Sequence, residues 1–357
     1  MLRPASVAVP AVLVLWAACG GGPTTHIVEV TLAPGAATLA LPAHTVGVNL
    51  LVEAADLDTS YYAGVSSLVD ASGAVLFVPP TDAAEYFAEP LRYAATDGSS
   101  MVLLPNAPAL APLSASYAIT TFAETLAGKS TTLTNRVRLK ISDGGSPTSG
   151  RIPLHVLRTD TTAACGALDD TARSSFEATL ASIFAGAGIT VSPILYMGVK
   201  GASSITLADA PPLTELDALL ATATAGDASD VLELVLVDAI HTRNGDVVGI
   251  AGGTPSSTGV PGTPHSGAAV ALTALCEAGG GAEGGRSLAI ASAHELGHSL
   301  GLFHNVEHDG HTSPLGDDAA MGADNLMYWT EDGGDNQTQL SPNQKMVLLA
   351  NPAVASP

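Results

Sequence analysis

The segment from His294 to His304 restricts the local structure more than any other part of this 357-residue chain. It reads His-Glu-Leu-Gly-His-Ser-Leu-Gly-Leu-Phe-His, so His294 and His298 are four residues apart. On a helix that spacing places both imidazoles on one face, about one turn apart. Ser287 can cap the start of such a helix, and Gly301 can adopt the left-handed conformation that ends it. The sequence therefore predicts a helix, a sharp turn, and the return of His304 toward the two helical histidines.

Three imidazoles that converge in this way suit a tetrahedral zinc ion. His294, His298 and His304 would hold Zn²⁺ through three nitrogens and leave the fourth position to water, as catalytic zinc sites do. Glu295 follows the first ligand, so its carboxylate would lie beside that water and act as the general base in a hydrolysis. Histidines that merely face solvent, or a metal-binding but inactive domain, are the alternatives.

The pattern H-E-x-x-H-x-x-G-x-x-H at residues 294–304 resembles the signature of the metzincin zinc endopeptidases. Members of that clan carry a methionine in a tight turn beneath the metal. Met327, within Asn325-Leu326-Met327-Tyr328-Trp329, is in the matching place. The resemblance implies that residues 152–352 follow the clan's order of strand, helix, strand, helix, strand, edge strand, active-site helix, Met-turn and final helix. Ser341 and Pro342 would begin that last helix.

The resemblance also implies an edge strand that binds substrate in an extended form. We assign it to Ala268–Leu275, with Ala268, Val270 and Leu272 as the candidate residues beside the peptide backbone. Astacin- and serralysin-type members have a tyrosine ligand two residues after the methionine. This chain has Trp329 at that position and Tyr328 one residue earlier, which favours a packing role for Tyr328.

The region before the signature domain has a different pattern. From His26 to Ser142, short alternating runs are separated by Gly, Pro and Asp, and in Arg136–Ile141 three cations alternate with three aliphatic residues. Frequent short strands predict a β-rich, sandwich-like N-terminal domain over residues 26–142. The Gly-, Ser- and Pro-containing residues 143–150 predict a linker, and residues 151–357 form the expected catalytic domain.

Beyond that linker, predicted strands alternate with predicted helices. Strands are expected at Ile152–Arg158, Ile189–Val199 and Val231–Val237, and helices from Asp170 and near Leu213. This alternation predicts a mixed, mostly parallel sheet with helices packed against it. The expected fold class is a β-sandwich-like domain followed by an α/β (α+β) domain of metzincin type with an active-site helix.

The charge balance narrows the range of partners. Thirteen Lys and Arg against 34 Asp and Glu give a formal net charge of −21. Such a surface repels phosphate backbones and anionic head groups, which argues against nucleic-acid binding. The resemblance to the metzincins implies a protein or peptide substrate, and we assume a monomer.

Residues 1–18 have the organisation of a signal peptide. Arg3 precedes an apolar run from Ala5 to Ala18 that is too short to cross a bilayer as a helix. The small residues before Cys19, and the glycines after it, resemble the lipobox of bacterial lipoproteins, although Trp16 departs from that pattern. This resemblance implies an acylated Cys19, a tether over residues 19–25, and a lipoprotein on the outer membrane or cell surface, held only by its lipid. An ordinary secretory signal is the alternative.

Two further cysteines, Cys165 and Cys276, remain in a chain that we expect to be exported. An oxidising compartment favours a disulfide between them. Because a single pair has no spacing pattern to test, two free buried thiols are the alternative. Cys165 faintly resembles the cysteine that keeps some metzincin zymogens inactive, but it lies between the first strand and first helix of the catalytic region, which favours the disulfide.

Acidic residues follow the signature, and their carboxylates could bind a second cation. They are Glu307, Asp309, Asp317 and Asp318, interspersed with His308 and His311. Solvation of a loop is the default interpretation, and a calcium ion held by the carboxylates is the alternative. The same alternative applies to Asp332–Asn336.

These patterns lead to two hypotheses about function. The first is a zinc-dependent endopeptidase that hydrolyses peptide bonds. The second is a surface adhesin or binding module with a structural or inactive zinc site. Glu295 favours the enzyme, because a closed structural site has no use for a carboxylate beside an open coordination position.

Overall fold

The computed structural model describes residues 11–14, 24–32, 34–54, 61–78, 93–96, 99–125, 133–142, 145–159, 168–208, 214–224, 231–256, 265–273, 276, 278–330 and 336–355. Cys19, Cys165 and residues 332–335 lie outside them, so predictions about these residues stay predictions. Within the described residues, no helix is both long and apolar enough to cross a bilayer.

The described part of the chain before residue 142 is built almost entirely of strands, as the alternating pattern predicted. They are β1 (Ala11–Val14), β2 (Thr24–Leu32), β3 (Gly35–Ala40), β4 (Thr45–Ala54), β5 (Tyr61–Asp70), β6 (Val75–Phe77), β7 (Tyr93–Thr96), β8 (Ser99–Leu104), β9 (Ser116–Thr125) and β10 (Leu133–Ile141), with a 3₁₀ turn at Pro108–Leu110. One five-stranded sheet has the order β1-β3-β9-β5-β6, and a second has the order β2-β10-β4-β8-β7. Leu39 and Val65 of the first sheet share a core with Val52 and Val102 of the second.

Strand β1 lies inside the predicted signal peptide. In the full chain it pairs in parallel with β3, with Ala11 opposite Ala37. If residues 1–18 are removed as predicted, β3 becomes an edge strand among the described strands of that sheet.

The second half of the chain alternates strands and helices. Its elements are β11 (Gly150–Thr159), α1 (Asp170–Ala185), β12 (Ile189–Val199), β13 (Ser204–Thr206), α2 (Thr214–Thr224), β14 (Leu232–Val237), β15 (Ala239–Thr242), β16 (Gly245–Val247), β17 (Gly249–Ala251), β18 (Ala268–Ala271), α3 (Gly281–Ser299), a 3₁₀ segment (Ala319–Asp324) and α4 (Pro342–Ala350). A five-stranded sheet has the order β12-β11-β14-β18-β17, and β13, β15 and β16 form a small separate sheet. All pairs of the large sheet are parallel except β17 with β18. The mixed, mostly parallel sheet is confirmed.

The assignment of the edge strand was wrong. The candidates Ala268 and Val270 lie on β18, which is hydrogen-bonded on both sides, to β14 and to β17, and Leu272 follows it. All residues of β18 are buried, as expected of an interior strand covered on both faces. Among the described strands, the two edges of this sheet are β12 and β17, and β17 is the edge strand that neighbours β18. An apolar run identifies a strand but not its neighbours, because pairing order depends on the whole chain path.

The two helices that frame the site begin for different local reasons. At α4 the prediction is confirmed: the Ser341 side chain accepts from the Gln344 N–H, and Gln344 bonds back to the Ser341 N–H in a capping box. Helix α3, in contrast, starts at Gly281, six residues before the predicted cap at Ser287. It begins where a turn of positive-φ glycines ends, and Ser287 lies inside the helix.

Helix α3 packs very closely on α1. A Cβ atom at Gly285 would overlap the carbonyl oxygen of Ala172, so only glycine permits this approach of the two backbones. The apolar side of α3, which includes Leu288 and Leu296, lies in the same core as Phe176 and Leu180 of α1. Helix α3, which carries His294 and His298, is therefore held tightly against the rest of the domain.

Lys140 connects the N-terminal sheets to the C-terminal helix. The alternation in β10 placed this residue on a face of three cations, but its side chain is buried, with 1% exposed. Its Nζ donates to the carbonyl oxygens of Leu349 and Val354, at 2.5 and 2.7 Å. A cation is favourable there because the C-terminal end of a helix carries partial negative charge. The two halves of the chain therefore meet through a buried charged contact that local pattern does not reveal.

We expect Lys140→Met to lower the free energy of unfolding. It removes the donor and leaves two buried carbonyl groups without it, at a cost of about 1–3 kcal/mol for each unsatisfied group. Urea unfolding followed by circular dichroism measures the change. Lys200→Met, at an exposed position, is the control and should change stability by less than about 0.5 kcal/mol. Equal stability of the two variants would contradict this role for Lys140.

Candidate metal centre and cleft

The structure brings the three predicted ligands together at the end of α3. His294 and His298 lie on that helix, Gly301 follows with φ of +99°, and the chain then returns His304 to the same place. The Nε2 atom of His298 is 3.1 Å from that of His294 and 3.2 Å from that of His304. The predicted turn at Gly301 is thus what brings the third imidazole to the first two.

The Nδ1 atom of each ring, on the side away from the centre of the triad, has a hydrogen-bond partner in the protein. The Nδ1 atom of His294 is 2.8 Å from the Leu326 carbonyl oxygen, and that of His298 is 2.8 Å from the Leu302 carbonyl oxygen. Since carbonyl oxygens only accept, each Nδ1 must carry the proton and each Nε2 must present its lone pair to the centre. His304 has a different partner, the Glu307 carboxylate, again at 2.8 Å.

These three converging lone pairs fit a zinc ion. Without a cation the Nε2 lone pairs of His294 and His298, whose Nδ1 atoms both face carbonyl oxygens, would repel one another. Tetrahedral zinc with Zn–N bonds of about 2.0–2.1 Å requires neighbouring nitrogens to be about 3.3 Å apart. The observed separations of 3.1 and 3.2 Å are close to this distance. Among the described residues, the ligand atoms of these three histidines lie near enough to one another to hold a metal ion.

Burial keeps the helical ligands in their neutral form. Desolvation, followed by the effect of His304, lowers the pKa of His294 to about 4. Desolvation and the neighbouring histidines also hold the pKa of His298 well below its usual value. Both rings therefore remain available to a metal at neutral and mildly acidic pH.

Met327 lies directly against the ligand-bearing helix. It is completely buried, and a Cβ atom at Gly297 would be 2.6 Å from its Sδ atom. Gly297 lies between the two helical histidines, so a side chain there would displace Met327. The turn around Met327 is closed by the Asn325 side chain, whose Oδ1 accepts from the Met327 N–H at 2.9 Å.

Glu295 and the triad share a cleft of about 630 Å³. The segment that contains β16 and β17 forms one wall, and Trp329 and Thr330 contribute to its lining. A Cβ atom at Gly249 of β17 would overlap the Glu295 side chain, so the edge strand passes directly beside this carboxylate. The edge strand, the acid and the metal ligands thus meet in one open groove.

The two aromatic residues after Met327 have different positions. Trp329 is 38% exposed in the cleft, and the His308 ring packs edge-on against it with centroids 4.8 Å apart. Tyr328 is not among the described residues that line the cleft. Its ring is 6.3 Å from that of Trp329, and its packing role stays a prediction.

The acidic residues after the signature contact protein groups, although Oδ1 of Asp318 is buried without a hydrogen-bond partner. Asp309 bonds to His311, and Asp317 accepts from the Ser341 hydroxyl and the Asn343 N–H at the start of α4. Asp318 is buried, and desolvation raises its pKa. Nothing in these contacts supports a calcium ion.

The contact of Glu307 with the third histidine, His304, was not identified from the sequence. Its spacing of three residues from a ligand was the available signal.

Cys276 is disulfide-bonded in the structure. The other two cysteines of the chain, Cys19 and Cys165, both lie outside the described residues. The pairing of Cys276 with Cys165 therefore stays a prediction.

Comparisons with known proteins give limited similarity. No family model matches the chain, and no curated protein matches it. A solved structure of metalloproteinase-II from Bacteroides fragilis is 14% identical and covers 59% of this chain and 61% of its own length, with a TM-score of 0.37. A family two carbohydrate esterase from Cellvibrio japonicus is 13% identical over 50% of this chain and 54% of its own, with a TM-score of 0.19. The functional interpretation therefore rests on the site itself.

We expect the stability of the metal-free protein to fall as the pH decreases from about 6.5 to about 4. Over this window the unfolded histidines bind protons, whereas folded His294, with a pKa of about 4, does not. The unfolded state then binds more protons, so acid favours unfolding. Thermal unfolding of chelator-treated protein at a series of pH values measures this. A His294→Asn variant should show a weaker pH dependence, and an identical dependence would contradict the assignment.

Proposed function

We propose that this protein is a zinc-dependent endopeptidase of the metzincin type. The observation that carries the proposal is the convergence of three Nε2 lone pairs beside a carboxylate, in a groove bordered by a sheet edge. A structural zinc site would be closed by a fourth protein ligand, and the described residues place no fourth Cys, Asp or Glu with the triad.

His294, His298 and His304 would hold the ion, and Glu295 would handle the proton. When bound, zinc supplies a Lewis acid that polarises a scissile carbonyl group and lowers the pKa of water. The Glu295 carboxylate, on the cleft side of α3, accepts the proton of the attacking water and passes it to the leaving amine. Glu295 is 6% exposed, so most of it is buried at the wall of the cleft.

Substrate would lie along β17 rather than along the strand first assigned. Residues 247–251 line the cleft, and β17 pairs with β18 on one side only among the described strands. An extended peptide can add to such an edge through main-chain hydrogen bonds. This addition places a peptide bond next to Glu295, because Gly249 and Glu295 are in contact. Trp329 offers an apolar surface to a substrate side chain.

The remaining parts of the proposal concern the surroundings of the site. We propose that Met327 is the Met-turn residue and forms a soft apolar support under the imidazoles. We also propose that residues 26–142 form a β-sandwich. The core that its two sheets share supports this arrangement.

Cleavage of a protein substrate by Glu295 variants tests the function. Zinc-loaded protein should hydrolyse casein or a quenched peptide library, and Glu295→Gln should lower kcat/KM by about 10²–10⁴-fold while zinc remains bound. Glu283→Gln, on an exposed position of the same helix, is the matched control and should retain activity. Zinc content is measured in parallel by mass spectrometry.

One outcome rejects the proposed mechanism, and a second rejects the enzyme hypothesis. If Glu295→Gln cleaves as fast as the unaltered chain, the carboxylate is not the general base. If the unaltered chain holds one zinc ion and cleaves nothing in the library, the adhesin or binding-module hypothesis is favoured.

We propose that the protein is exported and anchored through an acylated Cys19, without any other contact with the membrane. The expected result of intact-mass analysis on membrane-extracted protein is a mature chain that starts at Cys19 and carries added lipid mass. Cys19→Ala should abolish the lipid mass and release the chain into the soluble fraction. A mature chain that retains residues 1–18, or starts elsewhere without lipid, contradicts the anchor.

A further inference from the structure

The third metal ligand is supported differently from the other two. His294 and His298 direct Nδ1 toward backbone carbonyl oxygens, which are uncharged acceptors. His304 directs Nδ1 toward Oε2 of Glu307, which is a carboxylate. Among the three ligands, His304 therefore has the charged partner.

The position of His304 explains why an additional constraint is useful. His294 and His298 are carried by a helix that is packed tightly on both sides. His304 follows Gly301, in a segment without regular secondary structure, and a quarter of its side chain is exposed. Its ring orientation is therefore not determined by a helix and must be set by a local contact.

Glu307 is itself held in place by a short hairpin. Val306 and Thr312 form an antiparallel bridge, and the Glu307 N–H donates to the His311 carbonyl oxygen at 2.7 Å. The Gly310 N–H donates back to the Glu307 carbonyl oxygen at 3.0 Å, with Gly310 at a φ of +89°. The start of this hairpin is tied to the metal centre, since the Asn305 N–H donates to the Met327 carbonyl oxygen. The backbone of Glu307 is thus well defined, and its side chain is 21% exposed.

We propose that Glu307 is a positioning residue that orients the His304 ring and strengthens its bond to the metal. The carboxylate accepts the Nδ1 hydrogen, which fixes the tautomer with the Nε2 lone pair directed at the ion. A negative acceptor also makes the imidazole a stronger donor to the metal than a neutral acceptor does. This inference rests on the proposed zinc binding. It adds that the strength of the bond between His304 and the metal depends on Glu307, which is not itself a ligand.

The same hairpin contains a natural control. Asp309 accepts from Nδ1 of His311 at 2.8 Å, the same kind of pair at the same distance. Its histidine does not belong to the metal cluster, and the pair is more exposed, at 54% and 41% of the side chains. Removal of the Asp309 carboxylate therefore takes the same charge from the hairpin, together with a further bond to the His311 N–H, without changing the support of a ligand.

The experiment is a competitive zinc titration of the full chain against a chromophoric chelator of known affinity. We expect Glu307→Ala to raise the zinc Kd by about 10- to 100-fold. Glu307→Gln keeps an acceptor but loses the charge, so its Kd should lie between those of Glu307→Ala and the unaltered chain. Asp309→Asn should stay within about twofold of the unaltered chain. Thermal unfolding of the metal-free variants shows that each is folded.

Substitution of cobalt for zinc provides a second measurement. The visible d–d bands of a tetrahedral Co²⁺ site respond to the orientation of each ligand, so Glu307→Ala should shift them and Asp309→Asn should not. Equal zinc Kd values and unchanged cobalt spectra in all variants overturn the proposal. A loss of affinity of the same size in Asp309→Asn overturns it too, because the effect would then belong to the hairpin.

These outcomes are separate from those that test the enzyme hypothesis. Glu307 variants with weakened zinc binding, in a chain that cleaves no peptide, leave the positioning role intact and reject the endopeptidase. Normal cleavage with a zinc Kd that does not depend on Glu307 supports the endopeptidase and rejects the positioning role.

Discussion

The convergence of three imidazole nitrogens is the constraint on which the rest of the site depends. Each ring can present its Nε2 lone pair only because its Nδ1 hydrogen is accepted elsewhere, by Leu326, Leu302 or Glu307. All three acceptors lie on the chain after helix α3. The helix therefore supplies two of the rings, but the irregular segment that follows decides how all three are oriented.

Close packing around α3 makes this arrangement rigid. Gly285 permits contact with the backbone of α1, Gly297 leaves room for Met327, and Gly249 lets the edge strand pass beside Glu295. At each of these places a single methyl group would meet another atom at less than contact distance. A densely packed interior transmits such a displacement instead of absorbing it. The glycines thus fix the distances between the three histidines, the Glu295 carboxylate and the sheet edge.

The N-terminal sheets contribute to the same structure from the other side. Lys140 reaches the carbonyl oxygens at the end of α4, and Leu103 of β8 lies in the core that contains α1 and α3. A Cβ atom at Gly301 would contact the Leu103 side chain, so β8 supports the turn between the second and third ligands. The β-rich region is therefore a structural neighbour of the metal centre and not merely attached by a linker.

The sequence by itself determined what depends on local spacing. The separation of His294 from His298, the turn at Gly301 and the cap at Ser341 each follow from the geometry of one helix or one turn, and all three are present in the structure. Tertiary structure alone decided the burial of Lys140 and the pairing of Glu307 with His304. It also decided that β17, and not β18, lies at the sheet edge. A partner distant in the chain, or a side chain's direction within an irregular loop, leaves no periodic trace in the sequence, because it is set by how separate elements pack together.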